Sequence, residues 1–405
     1  MSNEEKERGL LSGIRVIDMA DEKASFCSKL LADMGARVIK IERPGGDPSM
    51  NRGPFRKGSL KPKNSLSFFC NNTNKLGITL DLEHREGKPL FLMMVRKTDV
   101  IVETFPPGYL EQIGLGFNVL AQANPEVILV SVTGFGQNGP RRDLKLCDLV
   151  ASAYGGQMYV SGSPSKPPLK VFGEQSYYTA SLFAATGVLL ALRKRAKTGE
   201  GEHIDISLQE SMTATLEHVM IRYFSEKIIP RRQGSLHWNY AFTVLPCKDG
   251  FIHLTLFQQW ETLIEWLDTE GMAEDLIDEK WRDEDYRRAH AEHVIKVLGR
   301  WTKTHTVDDL FELGQCMRFP WAPVQSPSDV LRSPQLSERD FFVEMDHPET
   351  GSVLKYPGVP CKFSTGFIHK KKPAPLPGED NVMIYQKELG ISEEELSRLS
   401  SQHII

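Results

Sequence analysis

The stretch Gly13–Glu42, GIRVIDMADEKASFCSKLLADMGARVIKIE, decides the fold. GIRVID (Gly13–Asp18) and ARVIKIE (Ala36–Glu42) are short runs rich in Val and Ile, the pattern of strands buried on both faces. Between them Ser25–Met34 carries helical apolar spacing, and Gly35 supplies a stop. A crossover of that length joins parallel strands. The pattern recurs in a strand over Ile78–Leu82, a helix over Glu86–Lys97, and strands over Asp99–Glu103, Val127–Val132 and His203–Ser207. Strands alternating with helices predict an α/β fold with an open, mostly parallel, Rossmann-like sheet. MADEKAS follows the first strand where a GxGxxG would stand, so a dinucleotide site has nothing to rest on.

Composition narrows the function classes. The chain has 405 residues, 40% hydrophobic and 25% charged, enough for two domains. A formal charge of -4 gives no bulk attraction to nucleic acid or anionic membrane. The start, MSNEEKERGLLSG, lacks an apolar signal run, and no stretch reaches the length of a spanning helix. These features predict a cytoplasmic protein with neither nucleic-acid nor membrane partners. Six cysteines lie scattered without a CxxC pair, and the histidines, His203, His218, His237 and His253 among them, fall in no metal or triad spacing. No metal site is expected.

Downstream, Val171–Gly201 joins a loop, an entry turn over Gly173–Ser176 and a buried helix whose apolar core, Ala180–Leu192, is followed by basic residues and Gly199 as a stop. Glu210–Phe224 reads as a long helix, and Ala241–Leu256 as a hairpin turning at Lys248–Gly250. Helices rich in Trp and acids follow to about Gly314. The change of texture predicts a second, smaller domain, with the Pro and Ser clusters up to Pro334 as its exit linker. The tail ends in a helix over Asn381–Leu389 and a turn capped by Ser392.

Several strings together carry a resemblance over nearly the whole chain: GIRVID, LLADMGARVIKIERPGGD, NNTNKLGITLDL, DVIVETFPPGYLEQIGLGF, VSVTGFGQNGP, ALRKRAKTGEGEHIDISLQES and PLPGEDNVMIYQKELGISEEELSRL. In order and spacing they resemble the family III CoA-transferases, the formyl-CoA and carnitine CoA-transferase group. The resemblance implies a large domain built from both chain ends, 1–224 and 331–405, a small α+β domain with linkers inserted over 225–330, and two subunits interlocked as a dimer. It also implies that an aspartate at the start of the long helix attacks the acyl-CoA carbonyl. A carboxylate suits that role because it is nucleophilic when ionised and its anhydride passes the acyl group onward.

The sequence departs from this pattern at the nucleophile. Counted back from Gly187, the family's aspartate falls on Tyr177, and no aspartate lies between Asp148 and Asp205. A phenol with an ordinary pKa near 10 is not ionised at neutral pH. Glu174 stands three residues upstream, as a displaced substitute or simply as a carboxylate capping the helix. The resemblance also places CoA-binding side chains where Leu76, Thr104 and Gln112 now stand, with an asparagine and two arginines lost. Arg43, Lys75, Phe105 and Lys145 remain as candidate CoA contacts, against the alternative that a lone Lys or Arg is a solvated surface charge. Cys147 occupies the histidine position of the racemase branch, which sets that chemistry aside.

These departures imply a non-catalytic subunit of a heteromeric CoA-transferase, partnered by a homologous chain that carries the aspartate. Among such heteromers the resemblance is to the silent subunit of the succinyl-CoA:(R)-benzylsuccinate CoA-transferases of anaerobic toluene breakdown. The small molecules implied are an acyl-CoA, bound by the partner as substrate, and a carboxylic acid. No covalently bound cofactor is expected. Two alternatives stay open: an active homodimer using Glu174, and a CoA-independent binding or regulatory protein on the same fold.

Overall fold

Strand β1 (Arg15–Met19) pairs in parallel with β2 (Arg37–Glu42) across helix α1 (Ser25–Asp33). The computed structural model describes residues 9–55, 65–236, 242–255, 259–347, 351–364 and 372–405. The chain divides into two units, one made of Met1–Gln157, Val171–Glu217 and Arg339–Ile405, the other of Met158–Lys170 and His218–Glu338. The second unit therefore takes in 158–170, which the sequence reading leaves in the first. Backbone and side-chain hydrogen bonds explain this: Gly234 N donates to Gly162 O, and Arg232 donates to the carbonyls of Tyr159 and Ser163.

In the first unit the chain continues through α2 (Leu66–Asn71), β3 (Leu76–Thr79), α3 (Gly87–Val95), β4 (Val100–Glu103), α4 (Tyr109–Gln112), α5 (Phe117–Ala123) and β5 (Ile128–Thr133). Then come α6 (Asp148–Tyr154), α7 (Gln175–Thr198), β6 (Glu202–Ser207) and α8 (Leu208–Ala214). The sheet order is β3-β2-β1-β4-β5-β6, with every pair parallel. This is the doubly wound order whose crevice lies beyond the carboxyl ends of the strands. The period of two along each strand divides its side chains between two cores. Val16, Val38, Val100 and Val130 face one with Ala180, Ala184 and Val188 of α7; Ile17, Ile39, Ile101 and Leu129 face the other with Ile384, Tyr385 and Ile404 from the chain's end.

The expected long helix over Glu210–Phe224 is instead two, α8 and Glu217–Glu226. At the break the Thr215 hydroxyl donates to Met212 O at 2.7 Å, a local bond that competes with the helical ladder. Gly199 ends α7 at φ +72°, a left-handed conformation that a Cβ would oppose.

The second unit holds β7 (Phe242–Pro246), β8 (Phe251–Thr255), helices α9 (Trp260–Thr269), α10 (Ala291–Thr302) and α11 (Val307–Cys316), and β9 (Ala322–Pro323). The hairpin turns over Cys247–Gly250, closed by Cys247 N donating to Gly250 O. Its expected ends, Ala241 and Leu256, and also His237, lie outside the described residues. Trp260, Trp266, Trp281, Trp301 and Trp321 form the centre of its core. Back in the first unit, β10 (Phe342–His347) and β11 (Ser352–Pro357) make an antiparallel pair absent from the sequence reading. The expected helix near the end is a π-helix over Val382–Glu388, followed by α12 (Glu393–Ser401), with the Ser392 side chain accepting from Glu395 N.

Candidate functional site

Two features of the first unit bear on function: a cleft at the carboxyl edge of the sheet and the start of α7. The cleft has a volume of about 830 Å³ and is walled by the segments that follow β1, β2, β4 and β5. Arg43, Thr104, Phe105, Gln112 and Lys145 all line it. Arg43 donates to Glu83 at 2.9 Å and to the Tyr109 hydroxyl at 3.0 Å, and that hydroxyl donates to Glu83 at 2.6 Å. Phe105 packs on the Tyr109 ring with centroids 4.7 Å apart. The Thr104 hydroxyl accepts from Asp21 N at 3.0 Å, which ties the loop after β4 to the loop after β1.

Lys75 is placed differently from the candidate role given by sequence. It is fully buried, with its ammonium 2.8 Å from Asp18 Oδ2, 2.9 Å from Ser25 O and 2.7 Å from Asn72 Oδ1. Burial pulls its pKa down to about 8 against the pull of Asp18. With all three ammonium hydrogens committed inside the protein, Lys75 is a structural cation and not a phosphate contact. It is not among the residues walling the cleft.

The charges of the cleft are largely neutralised by this chain's own acids. Lys23 pairs with Asp21, Lys40 with Asp47 at 2.7 Å, Arg43 with Glu83, and Arg142 with Asp143 at 3.2 Å. Lys145 alone among these cations makes no ion pair with a described residue. Two acids beside the cleft are themselves shifted. Glu42 and Glu103 are both pushed up to about 7, chiefly because burial penalises the charged form. Glu103 accepts from Phe105 N at 2.6 Å, which fixes the turn after β4.

At the start of α7 two helices are tied reciprocally. The Asp148 carboxylate, opening α6, accepts from Ser176 N at 2.9 Å and from the Ser176 hydroxyl at 2.7 Å, so it caps the first turn of α7. In return the Tyr177 hydroxyl accepts from Asp148 N at 3.1 Å, satisfying a donor at the start of α6. Tyr177 is 4% exposed and packs with Ala180 and Ala151 in the core. Burial pushes its pKa up to about 12. A neutral phenol whose oxygen already accepts a backbone N–H is not poised as a nucleophile.

Glu174 does not cap α7 with its side chain, contrary to the capping alternative. Asp148 holds that role, and the Glu174 carboxylate pairs instead with Arg52 at 3.0 Å, an arginine that also grips Glu22. Glu174 is thus a half-exposed carboxylate in an ion-pair chain. The sequence reading missed Asp148, Tyr109 and Arg52. Tyr109 and the loop residues were accessible through the rule that α/β ligand sites follow strand ends, whereas the Asp148 contact joins residues that no local pattern connects.

Among the described residues no group of three or more His, Cys, Asp or Glu side chains is placed to hold a metal ion, and no helix is long and apolar enough to cross a membrane.

Comparison with known proteins agrees over the length of the chain. The profile of CoA-transferase family III matches residues 11–381. The succinyl-CoA:(R)-benzylsuccinate CoA-transferase subunit BbsE of Thauera aromatica is 31% identical over 91% of this chain and 92% of its own. The succinyl-CoA–L-malate CoA-transferase beta subunit of Chloroflexus aurantiacus is 31% identical over 98% of each chain. Among solved structures, a CAIB/BAIF family protein from Brucella suis superposes with TM-score 0.85 at 28% identity, covering 94% of this chain and 99% of that one. On these matches and on its parallel sheet, the chain belongs to CoA-transferase family III.

Proposed function

We propose that this chain is the non-catalytic subunit of a heteromeric CoA-transferase, interlocked in the cytoplasm with a homologous chain that bears the nucleophilic aspartate. The complex moves CoA from an acyl-CoA such as succinyl-CoA to a carboxylic acid such as benzylsuccinate, and the acyl-CoA binds at the partner's site. The observation that carries the reading is Tyr177, buried and engaged with the Asp148 backbone where the family resemblance expects the aspartate. The self-neutralised cleft supports it, because a nucleotide carrying several phosphates gains little from cations already paired with acids. The relatives from Thauera and Chloroflexus, both named as subunits, support a partner chain.

The test is reconstitution. Purified alone, the chain should transfer no CoA from succinyl-CoA to benzylsuccinate or other carboxylic acids, and co-purified with an aspartate-bearing homologue it should form an active complex. Activity of the isolated chain, abolished by Glu174→Gln, would instead establish the active homodimer. A stable protein that neither joins a homologue nor transfers CoA would favour the binding-protein alternative.

A further inference from the structure

Three polar side chains share one face of the sheet near its carboxyl edge. Glu103 of β4 lies two residues beyond Ile101, and Ser131 of β5 two beyond Leu129, so the period of two turns both toward the core that Ile101 and Leu129 enter. Register sets Glu103 beside Ser131, and His203 of β6 beside Leu129. Glu103 and Ser131 are only 3% and 1% exposed, which shields their protons from solvent. The His203 ring, stacked on Phe117, places Nε2 2.9 Å from the Ser131 hydroxyl, and that hydroxyl also hydrogen-bonds the Glu103 carboxyl.

A serine hydroxyl carries one hydrogen, so between a carboxyl and an imidazole it donates to one and accepts from the other. An ionised Glu103 can only accept; Ser131 then donates to it, and His203 donates from Nε2 to Ser131. A protonated Glu103 donates to Ser131 instead, Ser131 donates to Nε2, and the ring hydrogen of His203 sits on Nδ1. One proton arriving at Nδ1 balances the change: the Nε2 hydrogen passes to Ser131 and the Ser131 hydrogen passes to Glu103. No heavy atom has to move. At the far end of this chain the Phe105 amide donates to Glu103 Oε2 at 2.6 Å, a bond that a charged acceptor strengthens. Phe105 lines the cleft, so the protonation state reaches the cleft wall.

The surroundings place the exchange near neutral pH. Burial raises Glu103 to about 7 and lowers the pKa of His203, so the ring is neutral where the carboxyl titrates. The other charges acting on the chain are Glu111, which faces both groups, Lys23 toward Glu103 and Asp205 toward His203.

We propose that His203, Ser131 and Glu103 form a proton relay that tightens and loosens the tie on the Phe105 wall of the cleft as pH changes. The relay is independent of whether this chain turns over CoA, so it stands or falls apart from the silent-subunit reading.

Nuclear magnetic resonance of the full chain, with whatever partner co-purifies and with 15N-labelled histidine and phenylalanine, tests it. The His203 and Phe105 signals are assigned from His203→Gln and Phe105→Leu. From about pH 6.5 to about pH 8.5, His203 should pass from the Nδ1–H to the Nε2–H tautomer, and the Phe105 amide proton should move downfield with the same midpoint. Glu103→Gln, whose amide donates to Ser131 at every pH, should lock the Nδ1–H tautomer. Ser131→Ala, which removes a single oxygen and keeps the test independent of how the glutamine variant folds, should leave the Phe105 shift and abolish the His203 change. A His203 tautomer that stays constant across this range, or a change that survives Ser131→Ala, would overturn the proposal.

Discussion

At Tyr177, where the family resemblance expects an aspartate, the side chain holds a structural role. Its hydroxyl is the acceptor for Asp148 N, and removing it leaves a buried donor unsatisfied. Tyr177→Phe is expected to destabilise the protein by about 1–3 kcal/mol, read by urea unfolding. Lys75 makes a second prediction at this scale. Lys75→Met breaks the buried ion pair with Asp18, at a cost of about 3–5 kcal/mol. The same substitution should leave any CoA affinity within twofold of wild type, measured by calorimetry on protein that remains folded, because the ammonium lies outside the cleft. A strong loss of affinity would restore Lys75 as a ligand contact.

Elements of the sheet edge carry the pH response. Glu42 ends β2 and Glu103 ends β4, and both have folded pKa values raised from 4.5 to about 7. A raised carboxylate means that the folded state binds more protons than the unfolded chain between those values, so stability is fullest below about pH 4.5 and is lost as pH rises through 7. The contribution of Glu103, almost wholly buried, is on the order of 1–3 kcal/mol across that window. Glu103→Gln should flatten the fall in unfolding free energy between pH 5 and pH 7.5, and an unchanged slope would place the titration elsewhere. The strands themselves were legible because Val and Ile runs with intervening helical spacing leave a parallel sheet as the natural solution, and the β1–α1–β2 bounds moved by only a residue or two. The break between α8 and Glu217–Glu226 was not legible, since Thr215 is an ordinary helix residue until its hydroxyl finds Met212 O. Nor was the burial of Lys75: NNTNK reads as a polar loop, and the Asp18 that draws it inward lies on another strand.

For the whole molecule, the family was legible in the ordered strings and the candidate cleft in the residues after each strand. The neutralisation of that cleft was not, because Arg43–Glu83 and Lys40–Asp47 pair only once the loops fold over the sheet edge. The silent-subunit account joins the engaged Tyr177 to this paired cleft, and it makes the division of labour between chains its central claim. The most direct measurement is succinyl-CoA-dependent CoA transfer by the purified chain, by an aspartate-bearing homologue, and by their co-expressed complex. The account predicts no transfer by this chain alone, activity in the complex, and loss of that activity when the homologue's aspartate becomes alanine while Glu174→Gln here changes it less than twofold. Transfer by this chain alone, removed by Glu174→Gln, would contradict it.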